Sequence, residues 1–257
     1  MSFRHGILSY LEVKKVFNSK YKIAPRLLLV GVLLVFSKAS YAQLVLDKVV
    51  VVFDDPKKVK HDVLVTNESA DERLFVSVEP FEVKNPGTAE RELISLKGSE
   101  APSFLTTPDK LIVEPGSSSV VRLLNLQPDA GKERVYRINF LPIKKPPEFE
   151  SSETDKVAPM VEILVAYQVL AMVLPANAEA KPDITRKGKV LTLVNNGNAN
   201  FLLSSGQQCD PLDPGRCIDL PGKRVYADSQ VTMDLPFDAP ATFVLEASSG
   251  FRDLVTP

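Results

Sequence analysis

From Leu44 to its end the chain is a succession of short apolar runs, many alternating apolar with polar residues, broken at short intervals by Pro, Asn, Asp and Gly. Alternation at period two marks strands whose side chains point to opposite faces, and no segment carries the longer period of an amphipathic helix. The pattern predicts strands at Leu44–Phe53 (LVLDKVVVVF), His61–Asn67 (HDVLVTN) and Arg73–Val83 (RLFVSVEPFEV), with Pro80 bending or bulging the third. A polar stretch, KNPGTAERE, follows. Pro108–Leu126 (PDKLIVEPGSSSVVRLLNL) reads as two strands about a turn at Glu114-Pro115-Gly116, where the fixed φ of proline suits the bend. Glu133–Ile143 (ERVYRINFLPI) is the next strand, and Lys144–Lys156 is a polar loop.

The run that follows, VAPMVEILVAYQVLAMVLP (Val157–Pro175), is almost wholly apolar, with Glu162 and Gln168 as exceptions. As a strand it places Val161, Ile163, Val165, Tyr167 and Val169 on one face, and Met160, Glu162, Leu164, Ala166, Gln168 and Leu170 on the other. Both faces are apolar enough to need cover. A membrane helix needs about 20 apolar residues; this run is shorter, carries Glu162 and is fenced by Pro159 and Pro175. Two readings stay open: a central strand buried on both faces of its own sandwich, or a strand that lends one face to another molecule.

After Pro175, ANAEAKPD reads as a linker. The tail resumes with KVLTLVNNGNANFLLSS, where Asn195–Asn198 is predicted to be a tight turn between two strands. LPGKRVYA, QVTMDL and ATFVLEA supply three more. The density of short strands bounded by turn residues makes the chain all-β and its first unit an immunoglobulin-like sandwich. The second unit holds only about 80 residues, a size at which a covalent staple helps.

Composition narrows the function. The formal charge of −1, with 25% charged residues, gives no field to gather nucleic acid. The first residues carry several Lys and Arg, then an apolar core at Leu27–Phe36 and small Ser40 and Ala42. This is the pattern of a cleaved secretory signal over residues 1–42, whose apolar core is too short for stable membrane insertion. The two cysteines, Cys209 and Cys217 in CDPLDPGRC, are predicted to form a structural disulfide; the C-x-x-C spacing of a redox pair is absent. Outside the leader the only histidine is His61, which starts a strand with no motif around it, so no catalytic triad can be assembled. Zinc ligands, G-x-S-x-G and phosphate-cradling glycine loops are also missing. The sequence therefore predicts neither enzyme nor cofactor nor metal.

Taken in order, LVLDKVVVVFDD, KLIVEPGSSSVVRLL, ERVYRINFLPIKKPP, the alternating run up to Pro175 and LVNNGNANFLLSSGQQCDP resemble the periplasmic chaperones of the chaperone–usher pilus pathway. The YRI strand and the NNGNA–cysteine tail are similar to the divergent branch of common-pilus chaperones. The resemblance implies two immunoglobulin-like β-sandwich domains set in an L, over residues 43–175 and 176–257. It also implies that the alternating strand is donated to pilus subunits, which lack their last strand, before delivery to an outer-membrane usher. On that register the donor knobs are Val161, Ile163 and Val165, flanked by Pro159 and Tyr167, with Met160, Leu164 and Ala166 against the chaperone's own core; which face points outward is left open, because a one-residue slip exchanges the two.

The better-known branch also holds the terminal carboxylate of its client with two cations. The first matches Lys48, which lacks the bidentate fork of an Arg. The second position carries Leu170, a departure from the family pattern, and Arg137 in the neighbouring strand is the candidate replacement. A free alternating edge can also self-pair into a capped dimer. The competing reading is a structural pilus subunit or adhesin.

Overall fold

The computed structural model describes residues 44–128, 130–143, 164–248 and 250–257, and every regular element among them is a β-strand. The expected opening strand divides in two. Leu44–Leu46 (β1) and Val50–Phe53 (β2) belong to different sheets, and Asp47 makes the break. Its backbone N–H donates to Leu64 O at 3.2 Å and its carboxylate accepts the Leu64 N–H at 2.8 Å, so the chain leaves one sheet there and crosses to the other. The first sandwich continues with Lys60–Asn67 (β3), Leu74–Lys84 (β4), Glu92–Ser95 (β5), Phe104–Thr107 (β6), Lys110–Val113 (β7), Ser118–Asn125 (β8), Arg134–Pro142 (β9) and Tyr167–Val173 (β10).

One sheet has the order β1-β3-β8-β6. The other runs β2-β10-β9-β4-β5, with β7 also paired to β4. Alternate residues from both sheets meet in one core, among them Val63, Val65 and Phe104 from the first and Phe53, Tyr136, Ile138, Phe140, Val169, Ala171 and Val173 from the second. The Phe104 and Tyr136 rings stack at 4.4 Å, and Phe53 meets Phe104 edge-on at 5.7 Å. Pro80 neither bulges nor breaks β4: it lies opposite Ile138 without a register shift. The short strands β5 and β6 were not expected. All four residues of β5 are exposed, so its sequence carries no burial pattern to betray it.

The second sandwich comprises Pro182–Lys187 (β11), Val190–Asn195 (β12), Phe201–Asp210 (β13), Asp213–Leu220 (β14), Lys223–Val225 (β15), Ser229–Asp234 (β16), Thr242–Ala247 (β17) and Arg252–Val255 (β18). Its sheets are β11-β12-β16 and β14-β13-β17-β18, with β15 paired to β13. Asn195–Asn198 is therefore not a hairpin turn. It carries the chain from one sheet to the other, because β12 and β13 lie in different sheets. Buried Asn195 organises the crossing: its side chain donates to Ala199 O and accepts the N–H groups of Gly197 and Lys181. Gly197 is required, since a Cβ there would lie 2.2 Å from Glu179 O. Cys209 and Cys217 are disulfide-bonded at facing positions of β13 and β14, so the cystine closes a hairpin rather than a loop.

Candidate functional site

Among its described residues, the alternating run forms strand from Tyr167 onward, as β10. β10 pairs with β9 along its whole length, from Tyr167↔Phe140 to Val173↔Arg134, but β2 covers it only from Leu170 to Val173. Upstream of Leu170, no strand among the described residues occupies the second edge. Leu164, Val165 and Ala166 precede it as exposed chain outside any regular element, with Leu164 38% and Val165 44% accessible. The odd-numbered residues Val169, Ala171 and Val173 enter the core of this sandwich, and half-buried Tyr167 packs against it. The expected packing of Leu164 and Ala166 on that core is not found, because both are exposed. Pro159, Val161 and Ile163, together with the leader, lie outside the described residues.

Across this sheet Val50, Leu170, Arg137 and Phe81 form one register row on the face turned away from the core. Arg137 donates to Gln168 Oε1 at 2.7 Å, and Gln168 donates in turn to Asn139 Oδ1 at 2.6 Å. Among the described residues no carboxylate forms an ion pair with Arg137. Lys48 is placed differently. It lies beside Val49, whose carbonyl accepts the Leu170 N–H at 2.9 Å, but its ammonium pairs with Asp47 at 2.9 Å and donates to Asp62 O at 2.8 Å. Burial raises the Asp47 carboxyl, yet the Lys48 hydrogen bond and the Leu64 N–H outweigh it and hold Asp47 below the usual range. Lys48 and Arg137 thus flank Leu170 from opposite sides, the first neutralised within the chain and the second not.

The next register row, Val52–Met172–Val135–Val83, is buried except at Val52, yet Met172, Val135 and Val83 belong to neither core. They sit at the joint between the sandwiches, where the Asn200 side-chain amide lies 3.5 Å from Met172 Sδ. Glu133 locks this joint. It is 7% exposed; one carboxylate oxygen accepts the Ala227 N–H at 2.6 Å and the other accepts both the N–H and the side-chain amide of Asn200, at 3.0 and 2.5 Å. Arg224 donates to the Asn200 side-chain oxygen. Burial raises the Glu133 carboxyl above its ordinary value, opposed by the Asn200 and Ala227 donors and by the Arg224 charge. Lys132 pairs with Asp228 at 2.9 Å across the same joint. Glu133 was not singled out from the sequence, and nothing local marks it, since its partners lie 67 and 94 positions away.

His61 stacks edge-on against Phe53 at 4.6 Å, a packing role. Among the described residues no group of three or more His, Cys, Asp or Glu side chains is arranged to hold a metal ion.

No family model matches the chain. Two fimbrial proteins of Escherichia coli are similar in sequence. One is a CFA/I fimbrial subunit, 24% identical over 145 residues (56% of this chain and 60% of its own length). The other is a CS1 fimbrial subunit, 29% identical over 137 residues (52% and 56%). The chain therefore spans less than two thirds of the curated relatives it matches. Solved structures extend the likeness over both sandwiches. The class 5 fimbriae chaperone CfaA aligns over 83% of this chain and 99% of its own, at 21% identity and a TM-score of 0.54. The fold is that of the fimbrial assembly chaperones. The E. coli chaperone DraB gives 19% identity, a TM-score of 0.55 and coverage of 83% and 95%. A chain from the Salmonella enterica SafA pilin–SafB chaperone complex gives 12%, 0.58, and 85% and 98%. The two immunoglobulin-like sandwiches expected from the sequence are thus those of this fold.

Proposed function

We propose that the protein is a periplasmic chaperone that binds pilus subunits by lending them the strand leading into β10, and that it passes them to an outer-membrane usher. The observation that carries this reading is the half-open edge of β10: one side is hydrogen-bonded to β9, and the other has no strand partner upstream of Leu170 among the described residues. Such an edge is an aggregation hazard unless it is kept for a partner. A pilus protein missing its last strand offers the matching hazard, and pairing the two removes both. Val161, Ile163 and Val165 are the knobs of this reading, with Pro159 and Tyr167 at its ends. Burying each knob contributes about 1.5–3 kcal/mol before the costs of association. The client's terminal carboxylate goes to Arg137 first, because Lys48 already has Asp47 as partner. The leader, with its basic start and short apolar core, supports the periplasmic assignment.

Co-expression with a pilus subunit tests the reading. Ile163→Asp is expected to abolish co-purification while the chaperone stays folded, since a carboxylate cannot enter an apolar groove without its water. Wild-type yield of the client with Ile163→Asp would rule out donation through that face. A second reading, a structural pilus subunit or adhesin, is favoured by the names of the two E. coli relatives. It predicts concentration-dependent polymers on size-exclusion chromatography, whereas the chaperone reading predicts a monomer or a capped dimer.

A further inference from the structure

Asn196-Gly197 is the single Asn-Gly step of the sequence, and it carries a reaction of its own. When the Gly197 nitrogen loses its proton it can attack the side-chain carbonyl of Asn196. The N–Cγ bond forms, the Cγ–Nδ2 bond breaks and ammonia leaves, giving a succinimide ring. Water then opens the ring at either carbonyl, to Asp or to isoaspartate, whose main chain runs through the side chain and is longer by a methylene. Glycine makes the step easy, because no Cβ shields its nitrogen and its backbone turns freely.

The two reacting groups stand in opposite conditions. Asn196 is exposed, and its side chain makes no hydrogen bond among the described residues. Gly197 is buried, and its N–H donates to Asn195 Oδ1 at 3.0 Å. Removing that proton would leave an anion beside a buried carbonyl oxygen, and turning the nitrogen toward Asn196 would break the bond. The flanking backbone is clamped too. The Asn196 N–H donates to Lys181 O at 3.0 Å, the Asn198 N–H to Glu179 O at 2.9 Å, and Gly197 O accepts the Asp228 N–H at 3.3 Å. Asn195 is itself held by the carbonyls of Ala199, Val225 and Tyr226. Gly197 has no slack, since a Cβ there would also lie 2.7 Å from Lys181 N.

We propose that Asn196 is a latent deamidation site, silent while the crossing between β12 and β13 is closed and reactive once it opens, with Asn195 as the positioning residue that withholds the nucleophile. The crossing belongs to the joint: Asn198 O accepts the Glu133 N–H at 2.9 Å, and the Asn200 amide donates to the Glu133 carboxylate. The isoaspartyl product cannot re-enter it, because an added methylene meets space that Gly197 already fills against Glu179. Opening of this segment therefore becomes permanent in those chains that react before it closes. The site is independent of the function proposed above, since neither a client nor the β10 edge takes part.

The test holds the mature protein in mildly alkaline buffer, folded and in denaturing urea, and follows the peptide containing Asn196 by mass spectrometry for conversion of amide to acid. Conversion is expected to be at least tenfold slower in the folded protein. Deamidation and hydrogen exchange need the same N–H released, so the slowing should match the exchange protection of the Gly197 amide within about threefold. Equal rates in the two states, or conversion of folded protein faster than that protection allows, overturns the proposal. Asn195→Ala is expected to speed conversion at least tenfold while its circular dichroism stays native; an unchanged rate overturns the role of Asn195. Should Asn195→Ala fail to fold, the match between exchange and conversion in the wild type decides. Refolding the urea-treated sample tests the permanence: chains with the normal Asp product should regain native elution and isoaspartyl chains should not. Isoaspartyl chains that regain the wild-type melting temperature would overturn it.

Discussion

Glu133 and Arg137 lie four residues apart, one just before β9 and one within it, and their surroundings are opposite. Glu133 is buried and accepts three hydrogen bonds from a segment far along the chain. Arg137 is half-buried, rests on a neutral amide and has apolar neighbours that water still reaches. A buried charge with its hydrogen bonds filled belongs to the architecture, since leaving it unpaired is costly. A cation with unused donors on a partly exposed apolar face contributes little to holding the fold together. One stretch of chain thus fastens the sandwiches with one residue and, on the function proposed above, offers a binding group with another.

The comparison is broken most forcefully at Glu133. Glu133→Ala leaves the Asn200 and Ala227 N–H groups buried without acceptors, at about 1–3 kcal/mol each. A loss of about 2–5 kcal/mol in denaturant unfolding is expected, and a loss below about 1 kcal/mol would mean that water replaces the carboxylate at the joint. Arg137→Gln should change stability by less than about 0.5 kcal/mol while lowering client yield severalfold in co-purification.

Titration sharpens the contrast. Because Glu133 is raised in the fold, the folded protein holds its proton more tightly than the unfolded chain. Its contribution is fully present below the unfolded value of about 4.5 and is lost as pH rises through the folded one. His61 works the other way: burial and then Lys58 lower it, so folding loses stability as pH falls below about 6.5. Unfolding of Glu133→Gln and His61→Phe across about pH 4–8 should show these opposite slopes removed one at a time. The smallest effect belongs to Lys48→Ala. Its ammonium already faces Asp47, so client yield should fall by less than for Arg137→Gln; an equal fall would make Lys48 a full partner in the anchor.

How much of this was legible in the sequence follows from how local each feature is. The burial alternation of β3, β4, β8 and β9 is written in consecutive residues, and so is the turn at Glu114-Pro115-Gly116. The cysteine pair announced its bond because its members are close in sequence. β5 escaped because both of its faces are exposed. The division between β1 and β2 escaped because LVLDKVVVVF reads as one alternating ribbon, while the break is made by Asp47 bonding to Leu64, which no local pattern records. The same holds for the site. The alternating run was visible as unusual, but the open edge of β10, the neutralisation of Lys48 and the isolation of Arg137 depend on which strands become neighbours. Glu133 takes on its role only through contacts across the joint.

The central claim is that the edge of β10 upstream of Leu170 pairs with a client strand. Amide hydrogen exchange over residues 164–169, in the free protein and in complex with a pilus subunit, tests it most directly. The account predicts rapid exchange at the outward-facing amides when the protein is free and protection by at least about two orders of magnitude in the complex, comparable to β9. Exchange over these residues that stays equally rapid in a stable complex would contradict it.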